Sequence, residues 1–373
     1  MKNVAIYRTV MPIVSESFII EQARSLIKYS PIYVCRDLNS PLAADSLSID
    51  SNSKFSRVKY TLCRTSNSFV RGLGKKKLSL IHAHFLPDAV MIMPTAKQLG
   101  LPLIATSHGF DTQMSRWSQF KTLRPTNVQF LLHEQYLYKN ADAFIAVSNF
   151  MRNKMIARGI PSDKIFTHYI GIDTKKFAPS KQQSKFILNV SRHVSWKGVE
   201  VLLKAFAQVP ASLGWKLLQV GAGYETVMLK KLATELGIDD RVEWLGAQPH
   251  DVVQRLMQEC SCYVQASLPD KNGQTEAFGM VLLEAAASGV PVLVSRSGGM
   301  PEGVIDNETG YLFEPGNFNE LAEKLNYVLA QSNEWRKTMG LAGRAFAQSL
   351  DIRSQTLLLE NIYDQVIANH ASN

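Results

Sequence analysis

The stretch FILNVSRHVSWKGVEVLLKAFAQ, residues 186–208, contains the smallest unit from which the fold can be read. Phe186 to Val190 is a short apolar run of the kind that forms a buried strand, and Val199 to Gln208 carries apolar residues at helical spacing. Between them lies a polar loop with two cations, Arg192 and Lys197. The same strand, loop and helix recur towards the carboxyl terminus. Trp215 to Val220 precedes Glu225 to Leu236, and Val242 to Leu245 precedes Pro249 to Glu259. Cys262 to Gln265 precedes a helix around Met280 to Ser288, and Val292 to Val294 follows. Strands alternating with helices in this way predict a parallel, doubly wound sheet.

The alternation is repeated in the first half. Val4 to Tyr7 is followed by a helix that Ser15 can cap, with Phe18, Ile19, Ala23, Leu26 and Ile27 at helical spacing. Leu78 to Ala83 precedes Ala89 to Leu99, Leu101 to Thr106 forms another strand, and Ala143 to Val147 precedes Asn149 to Arg158. The polar segment KKFAPSKQQS, residues 175–184, separates the two series and marks a domain boundary. The expected fold class is therefore α/β, with two Rossmann-like doubly wound domains, 1–178 and 179–351. From Leu325 onward the chain turns helical through Trp335 to Gln348, and Ser354 to Ala368 forms a last amphipathic helix.

A length of 373 residues with 46% hydrophobic and 20% charged content suits two cores. Cys35, Cys63, Cys260 and Cys262 are too few and too irregular for a disulfide framework, and no second close pair completes a zinc site at Cys260 and Cys262. Reduced thiols, as in a cytoplasm, are expected. The start, MKNVAIYRTVMP, lacks the features of a signal peptide, and no apolar run reaches the roughly 18 residues of a spanning helix.

The net charge of +9 is unevenly placed. Residues 1–180 carry 24 basic and 11 acidic side chains, against 17 and 21 in residues 181–373. A polyanionic partner or an anionic membrane surface is expected for the first half alone. Between Ser51 and Leu80 stand eight cations, Lys54, Arg57, Lys59, Arg64, Arg71, Lys75, Lys76 and Lys77, with apolar residues interleaved and no carboxylate. Such a segment fits an anionic lipid surface; a solvated face is the alternative.

Four motifs bear on chemistry. Arg192 and Lys197 sit on a loop at the carboxyl end of a strand, where ligands bind in doubly wound sheets, and together they can neutralise a diphosphate. In TEAFGMVLLEA, residues 275–285, Gly279 turns the backbone into a helix whose positive end favours an anion. Glu276 precedes that helix. Glu284 lies on an apolar face of it and needs a partner, either the diol of a sugar or ribose or an internal Arg or amide. Gly221-Ala222-Gly223 reads as a tight structural turn, because the third glycine of a dinucleotide fingerprint is missing and the motif opens no domain. His108, in TSHGFD at a first-half strand end, can hydrogen-bond a substrate hydroxyl with Asp111. His82 and His84 alternate to one side of another strand, with no further ligand at metal spacing.

In order along the chain, His108-Gly109-Phe110-Asp111, Val147-Ser148 with Gly171-Ile172-Asp173, Arg192 with Lys197-Gly198, Gly221-Ala222-Gly223, Glu276 to Glu284 and Gly298-Gly299-Met300-Pro301-Glu302 resemble glycosyltransferase family 4. The set spans nearly the whole chain. Pro12 to Ile19 is further similar to members that build bacterial exopolysaccharides, capsules and O-antigens. The resemblance implies the GT-B fold, with the two domains facing across a cleft, and a retaining, hexosyltransferase-type enzyme that needs no metal or other cofactor. It implies an acceptor-binding first domain, on which 352–373 packs back, and a donor-binding second domain. Arg192 and Lys197 are then expected to hold the diphosphate of a nucleotide-sugar donor, Glu284 the ribose and Glu276 the sugar. Gly221 and the backbone near Phe278, Gly279 and Met280 are expected at the donor, Ser15 near the phosphate, and His108 at the sugar. The expected acceptor is a glycan, held on a polyprenyl diphosphate at the inner face of the plasma membrane, where the protein would be cytoplasmic and peripherally attached. Nucleic acid is not an expected partner. A GT-B sugar-nucleotide epimerase, a phosphorylase, or a basic nucleic-acid-binding protein are the alternative readings of the same features.

Overall fold

The computed structural model describes residues 1–11, 16–39, 47–48, 54–180 and 184–372. The chain forms two compact units, Met1–Gly171 with Ile352–Asn373, and Ile172–Asp351.

The first unit contains the strands β1 (Lys2–Tyr7), β2 (Val10–Met11), β3 (Tyr29–Cys35), β4 (Asp37–Leu38), β5 (Leu47–Ser48), β6 (Leu78–His84), β7 (Leu103–Ser107), β8 (Ala143–Ala146) and β9 (Ile165–Thr167). Seven of them form a sheet in the order β5-β3-β1-β6-β7-β8-β9, and β2 pairs with β4 apart from it. All pairings are parallel. The helices are α1 (Ser17–Arg24), α2 (Lys54–Cys63), α3 (Asn67–Gly74), α4 (Leu86–Leu99), α5 (Phe110–Gln113), α6 (Arg116–Lys121), α7 (Pro125–Asn140) and α8 (Asn149–Arg158). Val4, Ile6, Leu80, Ile104 and Ile145 build the core, which also takes Leu359, Tyr363 and Val366 from the carboxyl-terminal helix Ile352–Ser372. That helix is tied down by more than apolar packing: the buried Glu360 carboxylate accepts from the backbone N–H groups of Ile27 and Lys28 at 2.7 and 2.6 Å.

The second unit has six parallel strands, β10 (Phe186–Val190), β11 (Lys216–Val220), β12 (Val242–Gly246), β13 (Cys262–Gln265), β14 (Val292–Ser295) and β15 (Gly310–Phe313), in the order β12-β11-β10-β13-β14-β15. Its helices are α9 (Val199–Phe206), α10 (Thr226–Glu235), α11 (His250–Glu259), α12 (Met280–Ala287), α13 (Phe318–Ala330) and α14 (Asn333–Ser349). Ile187, Leu202, Phe206, Leu217, Val264 and Leu325 lie in its core. In both sheets the strand order reverses beside the first strand, between β1 and β6 and between β10 and β13. Doubly wound sheets bind ligands at the carboxyl ends of strands at such points.

The division of the chain falls at Gly171 and Ile172, earlier than the 178/179 boundary read from composition. Residues 172–178 belong to the second unit because its side chains hold them: Arg344 donates to the carbonyls of Thr174 and Phe177, Thr174 donates to Asp351, and Gln254 donates to Lys176 O. Ser15, expected as a helix cap and phosphate contact, lies outside the described residues; α1 begins after Glu16, whose carboxylate pairs with Arg8. Among the described residues no helix is long and apolar enough to cross a membrane.

Candidate active site

In the second unit the loop after β10 carries Arg192 and Lys197, and the end of β13 carries Gln265, with Ser267 two residues on. These flank the point where the sheet reverses. Glu276 joins them: its Oε1 accepts from Lys197 Nζ, from Gln265 Nε2 at 3.0 Å and from Ser267 Oγ at 3.1 Å. Gln265 is itself oriented by Tyr263, whose hydroxyl donates to Gln265 Oε1 at 3.2 Å. The Lys197 ammonium lies 4.2 Å from the centre of the Trp196 ring, and the Arg192 guanidinium lies 5.6 Å from it on the same loop. A cation set on an aromatic face is held in place while keeping donors for a further anion.

Backbone packing explains why these loops need glycine. Gly221 has φ +129°, and a Cβ there would stand 1.9 Å from Ser191 O. The loop after β11 therefore lies directly on the Arg192 loop, and the two exchange backbone hydrogen bonds, Ser191 N to Val220 O and His193 N to Ala222 O. The structure gives Gly221 a supporting place beneath the Arg192 loop. At Gly298, with φ +63°, a Cβ would meet Glu276 O at 2.0 Å, and Gly299 N donates to that same carbonyl. The Gly298-Gly299 turn thus fixes the backbone of Glu276.

Gly279 heads α12 and offers no capping side chain, and the buried Phe278 precedes it with Met280 as the first helical residue. Glu284 lies one and a half turns into α12. Its carboxylate is 3.5 Å from His250 Nε2, a neighbour that the sequence reading did not supply. Burial and the charges of Glu284 and Glu276 together push the Tyr263 hydroxyl well above its ordinary pKa, so the phenol stays protonated between two carboxylates.

In the first unit His108 follows β7 and lies against Phe18 and Phe85, with ring centroids at 5.0 and 4.7 Å. Its Nε2 is 2.9 Å from Nδ1 of His84, and the two rings stack. Its Nδ1 is buried with no hydrogen-bond partner among the described residues. Behind them, His82 Nδ1 meets Tyr363 Oη and His82 Nε2 meets Thr106 Oγ1, each at 2.6 Å. Burial, followed by neighbouring histidine and Arg8 charge, holds His84 and His108 well below the usual imidazole pKa, so both rings are neutral.

Asp111 does not join His108 in facing a ligand. Its carboxylate is fully buried and accepts from Leu86 N at 2.9 Å, Ser107 Oγ at 2.8 Å and Gly109 N at 3.1 Å. It fastens the turn that presents His108. Two groups at this edge were missed from sequence: Arg8, which follows β1, and the buried Asp88 of α4, paired at 2.5 Å. Arg8 also covers the Phe85 ring at 4.2 Å. Phe85 adopts φ +75°, a strained conformation for a bulky residue, at the strand end next to His108.

The eight cations of residues 54–77 do not share one face. Lys54, Arg57 and Lys59 are on α2, with Arg64 just beyond it. Helix α2 lies at the carboxyl edge of the sheet, where Tyr60 Oη meets Tyr7 Oη at 2.9 Å at the end of β1. Arg71 is on α3, and Lys75, Lys76 and Lys77 lead into the first residue of β6, at the opposite edge.

Residues 172–346 match the family model "Glycosyl transferases group 1", and residues 20–176 match "Glycosyltransferase Family 4". Two Rossmann-like domains of this kind define the GT-B class of glycosyltransferase. The chain belongs to glycosyltransferase family 4 and is an enzyme of glycosyl transfer. Its relatives include the N-acetyl-alpha-D-glucosaminyl L-malate synthase of Bacillus anthracis, 28% identical over 310 residues that are 79% of this chain and 76% of that protein. The lipopolysaccharide 1,6-galactosyltransferase of Escherichia coli K12 is 27% identical over 285 residues, 73% of this chain and 75% of that one. Among solved structures, HepE of Anabaena in complex with UDP and glucose aligns over 98% of this chain and 100% of its own, with TM-score 0.75 and 19% identity. That last likeness is one of fold.

Proposed function

We propose that the protein is a retaining hexosyltransferase that takes a sugar from a nucleotide-sugar donor and adds it to a lipid-linked glycan of the bacterial surface. The observation that carries this reading is the assembly of Lys197, Glu276, Gln265 and Ser267 beside Arg192 where the second sheet reverses. A mobile ammonium, a planar guanidinium and an uncapped helix start suit a bridging pair of phosphates. The donor diphosphate draws Lys197 from Glu276, and the freed carboxylate accepts hydroxyl donors of the sugar. Glu284 takes the ribose diol. His108, whose Nδ1 has no hydrogen-bond partner among the described residues, is assigned the contact to the transferred sugar.

In the reaction the acceptor hydroxyl oxygen forms a bond to the anomeric carbon. The bond from that carbon to the donor phosphate oxygen breaks, and the electron pair leaves with the nucleoside diphosphate. The departing phosphate oxygen receives the acceptor proton on the same face, so configuration is kept. Arg192 and Lys197 stabilise the charge that grows on the leaving oxygen, as preorganised electrostatic groups do. No carboxylate is assigned as a nucleophile, and no metal or other cofactor is assigned a part.

A galactosyltransferase of lipopolysaccharide among the relatives favours a surface glycan as acceptor. The test is a transfer assay with nucleotide sugars and lipid-linked oligosaccharide acceptors, read by release of nucleoside diphosphate and by the anomeric configuration of the product. An α-linked product from an α-configured donor is expected. An inverted product, or a sugar nucleotide altered with no acceptor present, would overturn the reading and favour an epimerase.

A further inference from the structure

Helix α4 contains a proline, Pro94, inside its run from Leu86 to Leu99. Proline has no N–H, so the carbonyl of Val90, four residues earlier, receives no helical hydrogen bond from it. Arg64, which follows α2 with φ +56°, brings its guanidinium to this break, with Nη1 3.5 Å from Val90 O. That contact is long for a hydrogen bond and leaves the other guanidinium donors for a further group.

A groove opens beside the break. Arg64, Pro94, Lys97 and Tyr136 of α7 line it together with the buried Met93, and its volume is about 350 Å³. Past the same Met93, Lys97 and Tyr136 it continues into a cavity of about 210 Å³ that reaches Leu103, Asp142 and His370. Leu103 is the first residue of β7, and Asp142 directly precedes β8, so the groove runs to the amino edge of the first sheet. His108 lies at the opposite edge. An apolar floor with a few convergent polar groups is the usual composition of a small-molecule site.

Charge and shape define the occupant. Among the described residues neither Arg64 nor Lys97 meets a carboxylate. The acid in the groove, Asp142, is already engaged by His370 Nδ1 at 2.6 Å and by Leu103 N at 2.8 Å. Burial lowers the Arg64 pKa, opposed only by the hydroxyls of Tyr136 and Tyr60. A half-buried cation with no counter-charge gains from an incoming anion, and two such cations match the double charge of a phosphate monoester. Lys97 is steered to the same place: its Nζ donates to Tyr136 Oη at 3.1 Å and lies 5.8 Å from the centre of that ring. Beside the cations the Met93 thioether and the half-exposed Tyr136 ring offer a flat apolar surface, to which an aromatic ring is suited.

We infer that this groove binds a small aryl phosphate, with its phosphate between Arg64 and Lys97 and its ring against Met93, Pro94 and Tyr136. The site goes beyond the transferase reading and does not rest on it, since no residue of the loops around Arg192 and Glu276 takes part.

The test is a titration of the full chain with phenyl phosphate, followed by saturation-transfer NMR of the ring protons, with phenol and inorganic phosphate as competitors. Phenyl phosphate should bind saturably, and each competitor should displace it at least about tenfold less effectively, because each lacks half of the recognised group. Arg64→Gln with Lys97→Gln should weaken binding at least about tenfold. Tyr136→Ser, which keeps both cations and removes a half-exposed ring, should weaken it as well. A cooperative thermal transition in these variants shows that they fold. Arg192→Ala with Lys197→Ala should leave phenyl phosphate binding near the wild-type level. Absence of saturable binding, or inorganic phosphate competing as well as phenyl phosphate itself, would overturn the inference. So would binding that survives in the glutamine pair and is lost in the Arg192 and Lys197 variant, which would give the ligand to the second unit.

Discussion

Lys197 and Glu276 are 79 positions apart and form one ion pair, with side chains 15% and 12% exposed, at the point where the strand order of the second sheet reverses. The pair is nearly dry, yet the lysine also sits on Trp196, and Gln265 and Ser267 satisfy the same carboxylate oxygen. Glu276 therefore keeps two hydrogen bonds when the ammonium turns to a phosphate. Replacing Lys197 by Ala should lower kcat by about 10²- to 10³-fold, the loss typical of one electrostatic stabiliser of a developing anion. Steady-state kinetics at saturating donor check it, and wild-type turnover in the variant would remove Lys197 from this role.

His84 is a positioning residue for His108. Both rings are neutral, so a single proton lies between His84 Nδ1 and His108 Nε2, and the partner of His108 Nδ1 is set by which ring donates. Replacing His84 by Ala frees the His108 ring to turn. A fall of roughly tenfold in kcat with little change in donor KM is expected, partly restored by Asn at the same position. A purely structural role would instead lower the melting temperature and leave kcat unchanged.

The buried histidines also set a pH dependence of stability. Burial, with the nearby His168 second, pushes the His82 pKa down to about 3, and burial lowers His84 and His108 as well. In the unfolded chain such a histidine takes up its proton near pH 6.5, while the folded one stays neutral. The unfolded state thus binds more protons between the folded and unfolded pKa values, so stability is full above pH 6.5 and falls as the pH drops. Each histidine contributes a slope of up to about 1.4 kcal/mol per pH unit. Urea midpoints should fall from pH 7 to pH 5, and less steeply once His82 is replaced by Phe. Equal slopes in the two proteins would contradict the assignment.

Gly221→Ala places a methyl group 1.9 Å from Ser191 O as the backbone now runs. The substitution should cost more than about 1 kcal/mol and lower the melting temperature by at least ~2–4 °C. Because the Arg192 loop rests on this turn, donor KM should rise as well. A variant with unchanged melting temperature and KM would show that the loop does not depend on this contact.

The alternation that gave the fold was plainest where strands are short, apolar and uninterrupted, as at β10 and α9. It failed at β3, Tyr29–Cys35, where Pro31 and Ser30 interrupt the run. It failed too at α7, whose buried side includes Asn127 and Glu134; Glu134 is satisfied by Arg158 and Arg116, so its inner face does not read as apolar. Lys197 and Glu276 stood in recognisable motifs, but Gln265 and Ser267 lie at an ordinary strand end and carry no local signal. Asp111 was placed with the ligand because it stands three residues from His108; the spacing in fact suits a carboxylate that folds back on Gly109 N and Ser107 Oγ. The cations of residues 54–77 are continuous in sequence, and only the topology, with α2 at one edge and Lys75 to Lys77 at the other, divides them.

The proposed function stands on nucleotide-sugar binding by the second unit through Arg192, Lys197 and Glu276. A thermal-shift series with UDP-, GDP-, dTDP- and ADP-sugars tests it most directly, since a ligand bound by the folded state raises the melting temperature with its affinity. Sugars of one base should raise it, and the rise should be lost when Arg192 and Lys197 are both replaced by Ala. No shift with any nucleotide sugar, or an undiminished shift in the double variant, would contradict it.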